Sequence, residues 1–286
     1  MSDLWKISHV KEILGKHGFT FSKALGQNFL INPSVCPKMA ACSGVDKNSG
    51  VLEIGPGMGV LTYELSQVAK KVVAVELDDR LLPVLAETLA DCDNVKVINA
   101  DVLKLDLRKV IEEEFAGMDV YVCANLPYYI TSQVVMSLLE QRLPIKSITV
   151  MVQKEAATRL CTPVGSRESG AVTVAVHYFS EPKVQFNVSR GSFMPAPNVD
   201  SAVIKLELRG EKPDFVGDEK AFFRVVRAAF GNRRKTVVNS LGILLGLPKA
   251  QITQAFEEAG ISLTARAENL SIKQFADLAN LLYPQK

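Results

Sequence analysis

Residues 51–62, Val51-Leu52-Glu53-Ile54-Gly55-Pro56-Gly57-Met58-Gly59-Val60-Leu61-Thr62, constrain the fold more than any other stretch of the chain. A short apolar run leads straight into three alternating glycines, and a helix-compatible stretch comes next. This is the pattern of a buried parallel strand that ends in a tight turn and aims a helix N-terminus at a ligand. Glycine supplies the positive φ and the missing Cβ that let a ligand touch the backbone, and Pro56 stiffens the turn. The third glycine of a dinucleotide fingerprint would fall at Val60, and a β-branched residue there argues against NAD. Val72-Val73-Ala74-Val75-Glu76 is a second apolar strand, ending about 20 residues on in a carboxylate placed to accept hydrogen bonds from two ribose hydroxyls. Strand, glycine loop, helix, strand and acid together make a nucleoside-binding βαβ unit.

The remaining pattern extends that unit. A helix with Leu4, Ile7, Ile13 and Leu14 near one face is capped by Ser2 and stopped by Gly18. Residues 19–32 form neither a good helix nor a good strand, and the polar Gln27-Asn28 pair among apolar neighbours marks a lid or ligand loop. Asn32-Pro33 reads as an N-cap and helix start. Asp78 and Asp79 cap a helix that runs to Leu89, and 95–98 form a third strand ending at Asn99-Ala100-Asp101. Further strands are expected at 119–124, 147–152, 184–188 and 203–208, with a polar insert at 162–170. Strands separated by helical stretches mean a doubly wound α/β sheet. Gly210-Glu211-Lys212-Pro213 reads as a linker, after which the pattern is helical at 218–230, 233–241, 248–259 and 271–282. The expected domains are therefore 1–209 and a small helical domain, 210–286.

Composition narrows the partners. The net charge of the 286 residues is only +2. Residues 51–120, however, hold 14 acidic and 7 basic side chains, whereas 220–240 hold Lys220, Arg224, Arg227, Arg233, Arg234 and Lys235 and no acid. That asymmetry suggests a polyanion partner for the helical tail. Five cysteines, odd in number and without a C-x-x-C pair, suit free thiols in a reducing cytoplasm. The three histidines have no Cys or acid at ligand spacing, so no metal is expected. No signal peptide or membrane span is expected either, and the chain reads as a cytoplasmic monomer.

The chemistry gathers at the strand ends. Asp101, just past a strand terminus, could accept from an adenine amine or serve as a helix N-cap. Asn125-Leu126-Pro127-Tyr128 reaches the same rim. Pro127 pushes Leu126 toward an extended conformation that can turn the Leu126 carbonyl outward, and Asn125 adds a side-chain amide oxygen. Two acceptors side by side suit a planar NH₂, and Tyr128 offers a face on which a base can stack. Such a cage holds an exocyclic amine of a nucleobase ready for attack on a methyl donor.

Gly26-Gln27-Asn28-Phe29-Leu30, Glu53-Ile54-Gly55-Pro56-Gly57-Met58-Gly59, Glu76, Asp101, Asn125-Leu126-Pro127-Tyr128 and Phe193-Met194-Pro195-Ala196-Pro197-Asn198-Val199-Asp200-Ser201 occur in that order. With Phe230-Gly231-Asn232-Arg233-Arg234-Lys235-Thr236 in the tail, the chain resembles the rRNA adenine N6-dimethyltransferases, most closely the bacterial small-subunit group. The resemblance implies a Rossmann-like methyltransferase sheet and S-adenosylmethionine as methyl donor. It also implies two adjacent adenosines of the 3′-terminal hairpin of 16S rRNA, in an immature small subunit, as acceptors. It places Asn28, Leu30, Gly55, Glu76, Asp101 and Asn125 around the donor, to which the glycine loop adds Gly57, and sets Phe193 across the target base from Tyr128. Arg227, Arg233, Arg234 and Lys235 would meet RNA phosphates. Competing readings are the 23S rRNA methyltransferases of antibiotic resistance, which resemble this chain but typically carry Ile where Leu126 stands, a non-catalytic RNA-binding assembly factor, and a small-molecule methyltransferase or NAD enzyme.

Overall fold

The structure is a computed structural model and describes residues 4–20, 27–232 and 234–284. Its strands, in chain order, are β1 (Phe29–Leu30), β2 (Gly50–Ile54), β3 (Lys71–Glu76), β4 (Val95–Asn99), β5 (Val120–Asn125), β6 (Ser147–Gln153), β7 (Ser180–Val188), β8 (Phe193–Met194) and β9 (Ser201–Leu208). Seven form one sheet in the order β4-β3-β2-β5-β6-β9-β7. β2 pairs in parallel with β3 and β5, β3 with β4 and β5 with β6, while β9 runs antiparallel to β6. This is the doubly wound Rossmann-like sheet expected from the alternating pattern. Its order reverses between β2 and β5, and α/β sheets bind ligands at such a switch point, outside the strands' C-terminal ends.

Burial explains which runs became central strands. Every residue of β2 is buried, as are five of the six residues of β3. Sheets covered on both faces demand such unbroken apolar runs. β4, at the edge, has no buried residue. Helices Val35–Ser43 and Val60–Val68 cover one face, where Met39, Leu61 and Leu65 pack with Val51, Val72, Cys123 and Met151. The helix Ile7–Lys16 packs Val10, Ile13 and Leu14 against Phe29, Met58 and Leu81, and so supports the glycine loop from outside the sheet. Gly18, at φ 62°, ends that helix. Ser2, read as its cap, lies outside the described residues.

Several local expectations are corrected. Within 19–32, Phe29 and Leu30 do form a strand, antiparallel to β8, with Phe29 opposite Met194 and Leu30 opposite Phe193. A two-residue strand has no readable period, and its partner lies far along the chain. The helix read from Pro33 starts at Val35, because Asn32 Oδ1 accepts the Ser34 N–H at 3.0 Å and spends the first turn outside the helix. Asp78 does cap, but it opens a 3₁₀ turn at Asp79–Leu81 ahead of the helix Leu82–Thr88. The second tail helix is Val237–Leu245, not 233–241. Thr236 is extended and breaks the helical path ahead of Val237, while Gly246, at φ 66°, provides the left-handed stop further on.

The chain divides into two compact units, residues 1–157 with 182–208, and residues 158–181 with 209–286. The helix Ala171–Phe179 joins the second unit through aromatic packing. Tyr178 stacks on Phe222 at 5.0 Å, Phe179 stacks on Phe223 at 5.5 Å, and the Tyr178 hydroxyl donates to Glu219. Two of the tail helices open on side-chain caps. Asp218 accepts from Lys220 N and Ala221 N ahead of Glu219–Phe230, and Ser271 with Gln274 forms a reciprocal capping box ahead of Ile272–Leu282. Among the described residues no helix is long and apolar enough to cross a membrane.

Candidate active site

A cavity opens at the switch point in the first unit. Asn28, Leu30, Gly55, Gly57, Glu76, Asp101, Asn125, Leu126, Pro127, Tyr128 and Phe193 all line it. The topology accounts for this. The glycine loop leaves the C-terminal end of β2, Glu76 ends β3, Asp101 lies just past β4 and Asn125 ends β5. Leu30 and Phe193 enter together because they face each other across the β1–β8 pair.

The glycine loop adopts the backbone its composition permits. Gly55 and Gly57 sit at φ 68° and 61°, where L side chains are strained. A Cβ on Gly55 would meet no heavy atom within 4 Å, whereas one on Gly57 would come within 3.3 Å of the Phe29 ring. The segment carrying Asn28 and Phe29 is thus seated against the loop. Gln27 has a use that packing alone did not suggest. Its side-chain amide donates to Asp78 Oδ2 at 2.8 Å, and Arg80 binds the same carboxylate through Nε and Nη2. The Arg80 contact holds the Asp78 carboxyl below the usual range.

Glu76 is buried, and its two oxygens accept the backbone N–H groups of Gly57 at 3.2 Å and Asp78 at 2.8 Å. Its pKa is nevertheless raised, chiefly by burial, with the Asp78 charge adding to the effect against those two bonds. Asp101 caps no helix, since the next one starts at Leu107 and is capped by Asp106. Oδ1 accepts the Leu103 N–H at 3.0 Å, closing a turn, while the residue still borders the cavity. Lys104 lies 3.4 Å from Oδ2.

On the opposite wall, the Leu126 N–H donates to Met151 O at 3.3 Å, and Pro127 O accepts from the Ile130 N–H and the Thr131 hydroxyl, both at 3.2 Å. The Asn125–Tyr128 turn is therefore tied to β6 on one side and to the helix Thr131–Glu140 on the other. Tyr128 is partly buried, with its hydroxyl 2.8 Å from Ser201 Oγ, and its pKa is raised, mainly by burial. Phe193 is 3% exposed, so its ring is already part of the wall.

One wall residue was not singled out by the motif reading. Glu53, inside β2, is 1% exposed, borders the cavity, and its Oε2 has no hydrogen-bond partner among the described residues. Burial, with a contribution from the Glu76 charge, pushes its pKa up to about 8. The signal was an acid in a strand otherwise wholly apolar, in a sheet where charges are almost never buried without a partner. Cys36 and Cys123, both fully buried nearby, have their thiol pKa values pushed well up, chiefly by burial, which suits inert core thiols.

The basic residues lie in the second unit. Arg227 is on the exposed face of Glu219–Phe230, and Arg234 and Lys235 are exposed in the turn before Val237–Leu245. Arg233 lies outside the described residues.

Comparison with known proteins agrees with this geometry. The family model described as "Ribosomal RNA adenine dimethylase" matches residues 18–283. A protein of Geobacillus thermodenitrificans named ribosomal RNA small subunit methyltransferase A is 49% identical over 99% of this chain and 98% of its own length. One of Shouchella clausii with the same name is 49% identical over 98% of this chain and 96% of its own. Among solved structures, a dimethyladenosine transferase from Plasmodium falciparum superposes with a TM-score of 0.74 at 27% identity, covering 87% of this chain and 95% of that one. The 23S rRNA methyltransferase ErmE does so with a TM-score of 0.68 at 28% identity, covering 89% of this chain and 99% of that one. With its motifs gathered on one cavity and its similarity running nearly end to end, the chain belongs to the ribosomal RNA adenine dimethylase family.

Proposed function

We propose that this protein dimethylates the N6 amine of two adjacent adenosines in the 3′-terminal hairpin of 16S rRNA, with S-adenosylmethionine as donor. The observation that carries this reading is the single cavity shared by the nucleoside-binding acids and the Asn125–Tyr128 turn. Near-full-length similarity to small-subunit enzymes at 49% identity favours that subunit over the large one.

The cavity fits the donor chemically. S-adenosylmethionine, when bound, supplies an electrophilic methyl group on a cationic sulfonium. Glu76 and Asp101 border the space, which suits a ligand bearing both sulfonium and ammonium charge, while Glu53, which keeps its proton through the neutral range, adds hydrogen-bonding capacity rather than charge. Glu53 Oε2 is buried without a hydrogen-bond partner among the described residues, so the carboxyl has capacity left for a polar group of the ligand. A carboxylate has about four lone-pair sites. Glu76 uses two for Gly57 and Asp78, leaving acceptors for ribose hydroxyls. Asp101 is placed for the adenine amine, Asn28 and Leu30 close the loop side, and Gly55 lets the ligand approach the backbone.

The target adenine must leave its stack to reach the cavity. Tyr128 and Phe193 hold the base between their faces. The Asn125 side-chain oxygen and the Leu126 carbonyl accept the two N–H bonds of its amine, and Pro127 keeps the turn in shape. As the nitrogen attacks, positive charge develops on it and both acceptors bind more strongly than in the ground state. Transfer would break the methyl–sulfur bond and release the neutral thioether, and the methylated amine would shed its proton to water, so no strong base is needed. Arg227, Arg233, Arg234 and Lys235 engage RNA phosphates from the helical unit. We infer further that the protein works in the cytoplasm, as a monomer, on an immature small subunit, and needs no metal.

The test is whether tritiated S-adenosylmethionine labels small-subunit particles that lack the modification. Label in 16S rRNA, mapped to two neighbouring adenosines, is the expected result. Label in large-subunit rRNA, or in neither, overturns the reading.

A further inference from the structure

Tyr129 is 58% exposed, more than any other large apolar side chain among the described residues, yet it borders the mouth of the cavity. Its neighbour Tyr128 is partly buried and tied through its hydroxyl to Ser201. The two successive tyrosines therefore have different surroundings, one fixed in the wall and one presented to solvent at the rim. Tyr129 is also held on a firm backbone. Ile130 N–H bonds Pro127 O on one side of it, and Val134 N–H bonds Ile130 O at 2.9 Å to start the helix. An aromatic ring kept in water on a rigid turn, beside a cavity built for a base, calls for a partner with a flat apolar face.

Base flipping supplies one. Drawing an adenine out of its stack strips a face from each neighbouring base. An aromatic side chain at the rim can cover one of those faces, and the stacking of one base on such a ring is worth roughly 5- to 150-fold in affinity. We propose that Tyr129 is the stacking platform for the nucleotide flanking the flipped adenosine, so that one tyrosine of the pair holds the target and the other its neighbour. This inference rests on the functional reading above and adds a substrate-positioning residue to it. The contact is indifferent to base identity, because every base has a π-face. It sets the register of the strand at the rim and leaves the N6 amine to the cage.

The experiment uses small-subunit particles assembled with 16S rRNA in which 2-aminopurine replaces the nucleotide 5′ of a target adenosine or, in a second preparation, 3′ of it. This probe has no N6 amine and cannot itself be methylated, and its fluorescence is quenched by stacking. With the wild-type enzyme and Tyr129→Phe, the bound probe at one of the two positions stays quenched. With Tyr129→Ala it becomes several-fold brighter, KM for the particle rises about tenfold, and kcat at saturating particle stays within about twofold. Equal brightness and equal KM for Tyr129→Ala and wild type at both positions overturn the proposal. The functional reading fails separately, if wild-type enzyme places no methyl on unlabelled particles.

Discussion

The carboxyl of Glu76 accepts the backbone N–H of Gly57 at 3.2 Å, joining the tip of the glycine loop to the end of the next strand. One side chain therefore braces the loop and faces the cavity. With its second oxygen on Asp78 N–H, it also fixes the turn at Asp78, whose carboxylate binds Arg80 and Gln27.

Glu76→Ala removes the ligand contacts and the brace together. S-adenosylmethionine binding should weaken by about 1.5–3 kcal/mol, the worth of hydrogen bonds to a charged group. Calorimetric titration reads this directly, and unchanged affinity would take Glu76 out of the site.

Asn125→Ala should depress single-turnover methyl transfer by roughly 10²–10³ at saturating RNA and donor, as for loss of one preorganised polar contact. RNA affinity, measured separately, should hold because phosphate contacts carry most of it, while donor affinity drops modestly. A near wild-type rate would mean that something other than Asn125 orients the amine.

Replacing Arg227, Arg234 and Lys235 together by alanine should lower the salt slope of log K for RNA by about 2, at roughly 0.7–0.9 per lost phosphate contact. All three are exposed, so folding should be preserved. Filter binding across a salt series decides it. An affinity loss with no change in slope points to damage elsewhere.

Glu53 makes stability depend on pH. Its folded pKa, about 8, lies above the ordinary 4.5. Between those values the folded chain keeps a proton that the unfolded chain has lost, so stability falls as pH rises. The slope approaches about 1.4 kcal/mol per pH unit between the two values and flattens outside them, the stabilisation being fully present below the lower value and fully lost above the upper. Glu53→Gln keeps the shape and cannot ionise. Urea unfolding should show the variant gaining on wild type from pH 5 to pH 8, and parallel curves would show that Glu53 ionises normally in the fold.

The sheet and most of the cavity are legible in the sequence because their causes are local. The apolar run at 51–54, the alternating glycines, the acid at Glu76 and the Asn125–Tyr128 turn each announce themselves within a few residues. These features depend on backbone freedom, side-chain period and short-range hydrogen bonds, which a linear reading contains.

Contacts between distant segments decided the rest. Phe29–Leu30 became a strand only because Phe193–Met194 lies beside it, and that pairing puts Leu30 and Phe193 on one wall. Residues 158–181 joined the helical unit because Tyr178 and Phe179 found Phe222 and Phe223 there. Glu53 reads as one polar letter in a buried strand, and only its enclosure in the folded sheet leaves Oε2 without a partner among the described residues and raises its pKa. Sequence carries propensity and period, whereas desolvation and long-range pairing exist only once the chain has closed on itself.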